Sequence, residues 1–286
     1  VNAIGKYGRH MGKSHLSDRL LLAPRLTDPF PYVNPDSTFD GTSGIEDLPD
    51  LGNLLYGCCV WVDYVYSCAI IMWLSGALKP GVWDLSVLPN IDQVLTNYFI
   101  YQGSPKPTDY VWSQQNGYDN GADEGDALLY FSKNKVGPLD ELAAFVELPT
   151  EGELYEGAIQ TFGVVTDDIL VSSEMQQEFQ NNQPWASLAT DWVGGHSTAN
   201  SYRSPAYAKT ATWLKQWQQT WPNRRLVLEQ GWLLLTKAQL DAQKFFDGAK
   251  LQADVATLAD EQGVTTGGSR RDSILLTKDR LPSVVA

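Results

Sequence analysis

Two adjacent cysteines, Cys58 and Cys59, stand at the head of a long apolar run in the stretch LGNLLYGCCVW, and the chain has one other cysteine, Cys68. Neighbouring cysteines close a disulfide only through a strained ring, so free thiols are expected. A thiol attacks as its thiolate. That form is favoured at a helix N-terminus, where unpaired backbone N–H groups and the macrodipole stabilise negative charge. Acyl transfer then needs an imidazole to move the proton and a donor for the developing oxyanion. The chain supplies a candidate for each part: Cys59 where a helix begins, His196 in Gly194-Gly195-His196, and Asn53, whose amide lies six residues before Cys59. Packing is the competing reading, since free cysteine is among the most buried residue types and a histidine after two glycines is an ordinary loop residue.

Other chemistries are poorly served. GRHMGKS (8–14) has three residues, not four, between its first glycine and Gly-Lys-Ser, and no buried strand precedes it, so it is not a phosphate loop. The acidic stretch Asp119, Asn120, Asp123, Glu124, Asp126 lacks the alternating carboxylates of a calcium loop and reads as a surface loop with a helix cap. Structural zinc would need four nitrogen or sulfur ligands; the histidines are His10, His15 and His196, and there is no Cys-x-x-Cys. No metal and no cofactor are expected.

Elements must hold the candidate residues in place. Residues 60–74 are apolar on nearly all sides, as in a helix enclosed by the fold, with Gly76 as a stop; Asp63 argues against a membrane span. Residues 90–101 read as a helix, 117–125 as a loop, and Asp126 as the cap of a helix that ends at Gly137-Pro138. A strand over 142–148, a helix over 151–162 and a strand over 168–171 follow. Pro184 and Gly194-Gly195 punctuate a loop. Strands are expected at 210–217, 225–228 and 232–235, the first equally compatible with a helix, then a helix over 237–258. The fold class is therefore α+β: a helical half opened by the Cys59 helix, packed against a sheet-rich half carrying His196. Along the chain this gives an extended basic arm (1–44), a folded domain (45–247) and a C-terminal helix and tail (248–286).

At 286 residues and 43% hydrophobic content the chain can bury a large core, and its formal charge of −13 excludes nucleic acid as a general partner of the folded body. The charge is uneven. Residues 1–27 carry five basic side chains (Lys6, Arg9, Lys13, Arg19, Arg25) against Asp18, a local charge of about +4. Such an arm suits docking on other protein subunits within a larger assembly. The N-terminal stretch has no apolar run of the length of a secretory signal core, and no run elsewhere reaches bilayer length, so neither secretion nor a membrane partner is expected.

LGNLLYGCCVW, with an amide residue six positions before a helix-opening cysteine, resembles the papain-like cysteine peptidase pattern. More closely it resembles papain-like proteins encoded by actinobacterial phages. GYDNGADEGDALLYFSKNKVGPLDELAAFVEL (117–148), LYEGAIQTFGVV (154–165), NNQPWASL before VGGHS, TWLKQWQQTW (212–221) and LVLEQGWLLL (226–235) follow in that group's order. The resemblance implies a papain-like fold with Cys59 as nucleophile, His196 as general base and Asn53 as oxyanion donor. Three departures accompany it. Cys58 stands where the group has Asp. The segment after His196, STANSYRSPAYAKTA, is polar and contains Pro205 where the family runs an apolar strand. Where the family orients its imidazole with Asn before Ser-Trp-Gly, this chain has KTATWL (209–214), leaving Asn200 and Asp191 as substitutes. These departures imply a structural or interaction component, such as a phage particle protein with a degenerate thiol site, located in the virion, or in the cytoplasm if not phage-encoded. The alternative is an active cysteine peptidase or isopeptide/amide hydrolase.

Overall fold

Helix α1 (Cys59–Ser75) forms where the apolar run predicts it, and almost every side chain from Cys59 to Trp73 is buried. Gly76 ends it in the left-handed conformation that glycine adopts without a Cβ penalty. The computed structural model that shows this describes residues 37–41, 45, 47–142, 144–148, 150 and 153–236. A shell of helices surrounds α1 on one side. Helix α2 (Ile91–Tyr101) starts on a reciprocal capping box: the Asn90 side chain accepts from the Gln93 N–H and the Gln93 side chain accepts from the Asn90 N–H. Helices α3 (Tyr110–Gln115) and α4 (Glu124–Phe131) follow. Trp61 and Tyr64 of α1 pack on Tyr98 of α2 and Phe131 of α4, the Tyr64 ring stacked on Phe131 at 4.2 Å.

The other side of α1 faces a sheet. Its strands are β1 (Phe39–Asp40), β2 (Ala144–Leu148), β3 (Val165–Ser172), β4 (Trp192–Arg203), β5 (Tyr207–Thr212), β6 (Lys215–Thr220) and β7 (Leu228–Leu235). They lie in the order β2-β7-β3-β4-β5-β6, every pairing antiparallel, with β1 on the far end of β4. Helices α5 (Glu153–Phe162), α6 (Ser173–Gln180) and α7 (Trp221–Val227) connect strands. The expected α+β organisation is present, with the Cys59 helix packed on the His196 strand. Among the described residues, no helix is long and apolar enough to cross a membrane.

The differences from expectation are local. Asp123, not Asp126, caps α4, accepting from the Asp126 N–H, and the helix ends at Phe131, short of Gly137-Pro138. Gly194 and Gly195 lie inside β4, paired with Val171 and Leu170, so the expected loop is strand. Residues 225–228, expected as strand, belong mostly to α7, whose Thr220 cap and Pro222 in the first turn outweigh the apolar residues. The expected strand over 210–217 is two strands and a turn. Helices α3 and α6 were not expected. Of the predicted arms, Phe39–Asp40 pair with Tyr202 and Arg203, while residues 1–36 and 42–44 and the C-terminal helix and tail lie outside the described residues.

Candidate active site

The turn before Cys59 is built backwards from its hydrogen bonds. Gly52, at φ 104°, accepts from the N–H groups of Leu55 (3.1 Å) and Tyr56 (3.0 Å). A Cβ at this position would lie 2.6 Å from Leu95, so close approach as well as φ calls for glycine. Asn53 sits in this turn, 1% exposed, its side-chain Oδ1 without a hydrogen-bond partner. Asp119 anchors the end of the turn. Its Oδ1 accepts from the Gly57 N–H (2.8 Å) and the Tyr98 hydroxyl (2.8 Å), while Gln114 Nε2 donates to both Asp119 Oδ2 (2.7 Å) and the Leu55 carbonyl (2.9 Å). The acidic loop is thus tied to the cysteine turn, not merely surface, and Asp119 is a site residue that spacing rules for calcium passed over.

Cys58 and Cys59 are both fully buried free thiols. Cys58 is the N-cap of α1, makes no side-chain cap, and no acid occupies the first turn, so the positive end of the helix is not neutralised from within the helix. Burial, then Cys59, then Asp119 push the Cys58 thiol well above its ordinary range. Its Sγ lies 4.0 Å from the Leu51 carbonyl. Cys58 is held as a thiol. Cys59 begins the helix as expected.

His196 lies on β4 opposite Ile169. Its ring stacks on Trp213 (4.4 Å, 24°), and its Nε2 is 2.6 Å from Thr212 Oγ1. Thr212 and Trp213 are presented by the β5–β6 hairpin, whose two-residue turn has Trp213 at φ 40° and Leu214 at φ 71°. Two consecutive positive φ values match the right-handed twist of the hairpin, yet the turn favours Asn and Gly; Trp and Leu there carry a backbone penalty. The Leu48 N–H donates to the Leu214 carbonyl (3.1 Å) and helps hold the turn. Strain of this kind persists where surroundings over-determine it, often at functional positions.

The hairpin bears on two expectations. The His196 ring has a hydrogen-bond partner, the Thr212 hydroxyl, where the sequence offers no Asn; Asn200 Oδ1 accepts from the Tyr202 N–H and Asp191 accepts from the Ser173 hydroxyl. The Trp following Thr212 was the sequence signal for it. The segment after His196 is also a strand despite its polarity: every residue from Gly194 to Arg203 is buried, and Pro205 falls beyond its end. Small polar side chains serve there because the ladder takes up the backbone, with β3 as far as Asn200 and with β5 from Ala199 onward across a register shift.

When Nε2 carries the ring proton it donates to Thr212, and Nδ1 becomes the basic nitrogen. Burial lowers the His196 pKa from 6.5 to about 3. At neutral pH the imidazole is uncharged. The α1–β4 seam beside it is closed by Ser197, whose hydroxyl lies 2.8 Å from Asp63 Oδ2 and 2.7 Å from Glu124 Oε2. Asp63 is four residues after Cys59 on α1, and Ser197 follows His196, so this contact ties the helix of one candidate to the strand of the other. Among the described residues no group of three or more His, Cys, Asp or Glu could hold a metal ion.

No known family profile matches the sequence, and no curated protein is detectably similar to it. Solved structures do match. Xylellain, a cysteine protease from Xylella fastidiosa, superposes at a TM-score of 0.56 and 12% identity, over 81% of this chain and 96% of that one. Procathepsin B S9 from Trypanosoma congolense does so at 0.52 and 12%, over 81% and 86%. The fold is papain-like. Identity this low speaks for the fold alone.

Proposed function

We propose that the chain is a cysteine peptidase-like thiol hydrolase. In this reading Cys59 attacks a peptide or amide carbonyl, His196 Nδ1 takes and returns the proton, and the Cys59 N–H with the Asn53 side chain receives the oxyanion. Thr212 holds the ring through Nε2. The observation that carries the reading is the Thr212 Oγ1–His196 Nε2 contact at 2.6 Å beneath a stacked Trp213. A triad without an orienter loses tautomer control and orders of magnitude in rate; the Thr212 hydroxyl supports this reading by lying where it can fill that role. Because the imidazole is buried it rests uncharged, and in this reading His196 acts as a general base.

Full burial of Cys59 and His196 favours a second reading, in which the papain-like fold serves as a scaffold with a silent site. A phage particle component is one such scaffold, contacting other subunits through segments 1–44 and 248–286; the basic character of residues 1–27 against an acidic remainder supports it. An electrophilic thiol probe at mildly acidic pH separates the two. The hydrolase reading expects selective labelling at Cys59 that His196→Ala slows by about a hundredfold or more. Labelling no faster than a free thiol would establish the scaffold.

A further inference from the structure

We infer that Asp63, Ser197 and Glu124 form a proton-sharing bridge that clamps the His196 strand to the Cys59 helix, so that the site keeps its geometry only while the bridge keeps its proton. The clause about the site rests on the function proposed above; the bridge itself does not.

Proton counting on the geometry leads here. The Ser197 hydroxyl has one hydrogen and lies within hydrogen-bonding distance of two carboxyl oxygens, at 2.8 Å and 2.7 Å. It can donate to one of them. The second contact is attractive only if that carboxyl carries a proton and donates to the serine lone pair; two carboxylates would otherwise press an oxygen against an oxygen. The three residues are 1%, 2% and 0% exposed, so water does not dilute this conflict. The Ser67 hydroxyl, one turn further along α1, is a second hydroxyl beside Asp63.

The surroundings add negative charge. Asp168 of β3 is the cross-strand neighbour of Ser197 and fully buried, and it acts on Asp63. Tyr155 of α5 and Cys68 of α1 also lie within electrostatic reach of Asp63. Cys59 lies one turn along α1, and His196, one residue along β4, faces the opposite side of the sheet. The nearby buried cation, Arg224, is committed to Asp167 and Tyr155. Burial therefore pushes Asp63 well above the carboxylate range, with Asp168 adding to the shift and the Ser197 hydrogen bond opposing it.

Three elements meet in the bridge. Asp63 comes from α1 on the face that continues from Cys59, Ser197 from β4, and Glu124 from the first turn of α4, at the end of the loop through which Asp119 holds Gly57. Loss of the shared proton puts two anions against one hydroxyl and drives α1 and α4 away from β4. Asp63, Ser197 and Glu124 are positioning residues: they act on the site through α1, β4 and α4.

Difference infrared spectroscopy and unfolding across pH test the bridge in the intact chain. At neutral pH the wild type should show a buried carboxylic-acid carbonyl stretch that Asp63→Asn or Glu124→Gln removes. Its folding equilibrium should weaken by up to about tenfold per pH unit from the ordinary carboxylate range up to the pH at which the bridge loses its proton, and either variant should flatten that loss. Cys59 labelling should fall at the upper end of that window, against the ordinary rise of thiol reactivity with pH. A wild type lacking the acid band, or two variants that keep the wild-type pH dependence of unfolding, overturns the bridge. Labelling absent at every pH, with the band and the unfolding trend intact, removes the thiol-site reading and upholds the bridge.

Discussion

His196 and Ser197 are neighbours on one strand, and their side chains meet opposite surroundings. The histidine lies against Trp213 and opposite Ile169, in the apolar layer that also holds Trp185 and Trp217. The serine lies between Asp63 and Glu124. Alternation along a strand makes this possible, since adjacent side chains point to opposite faces. Both regions avoid charge, by opposite proton movements: burial strips the imidazole of its proton and keeps one on the carboxyl pair. The seam between α1 and β4 therefore depends on pH from both sides.

The contrast can be broken at the apolar wall first. Trp213→Ala should destabilise the protein by roughly 3–5 kcal/mol, as large-to-small changes of buried aromatics do, and calorimetry should show it; water then reaches His196 and its pKa rises toward 6.5 in an NMR titration. Breaking the acid side is milder. Ser197→Ala should lower stability by about 1–3 kcal/mol, the penalty for leaving buried polar atoms without their partner, read by denaturant unfolding.

Opposite pH signs sharpen the comparison further. His196 is neutral when folded, so the unfolded chain binds more protons as pH falls from 6.5 to about 3, and stability drops across that window. Asp63 holds its proton when folded, so its contribution is complete below the ordinary carboxylate range and is lost as pH rises through its elevated value. His196→Gln should flatten the acid limb of the stability profile and Asp63→Asn the alkaline limb. A variant that moves the other limb contradicts the assignment. The smallest effect belongs to the strained turn: Leu214→Gly relieves a positive φ while loosening the unfolded chain, for a net change under about 1 kcal/mol.

Much of this arrangement was legible in the sequence because it rests on local rules. The run from Val60 to Leu74 with Gly76 behind it specified α1 and the start position of Cys59, and Asn90 with Gln93 specified α2. What escaped depends on partners distant in sequence. Thr212 reads as one more β residue until the hairpin carries its hydroxyl to His196, 16 residues away. The pair Gly194-Gly195 reads as a loop unless β3 is known to pair with it. Asp119 looks like a solvated acid until Gly57, Tyr98 and Gln114 donate to it, and the two buried acids carry no signature except that Asp63 interrupts an apolar helix.

The proposal that Thr212 completes a Cys59–His196 pair is tested most directly by the rate of Cys59 capture by an electrophilic thiol probe in wild type, Thr212→Val and Thr212→Asn. Valine keeps the shape and removes the hydroxyl, so capture should slow by about tenfold or more; asparagine supplies another acceptor and should restore most of the rate. Equal rates in wild type and Thr212→Val, with both proteins folded, would contradict the account.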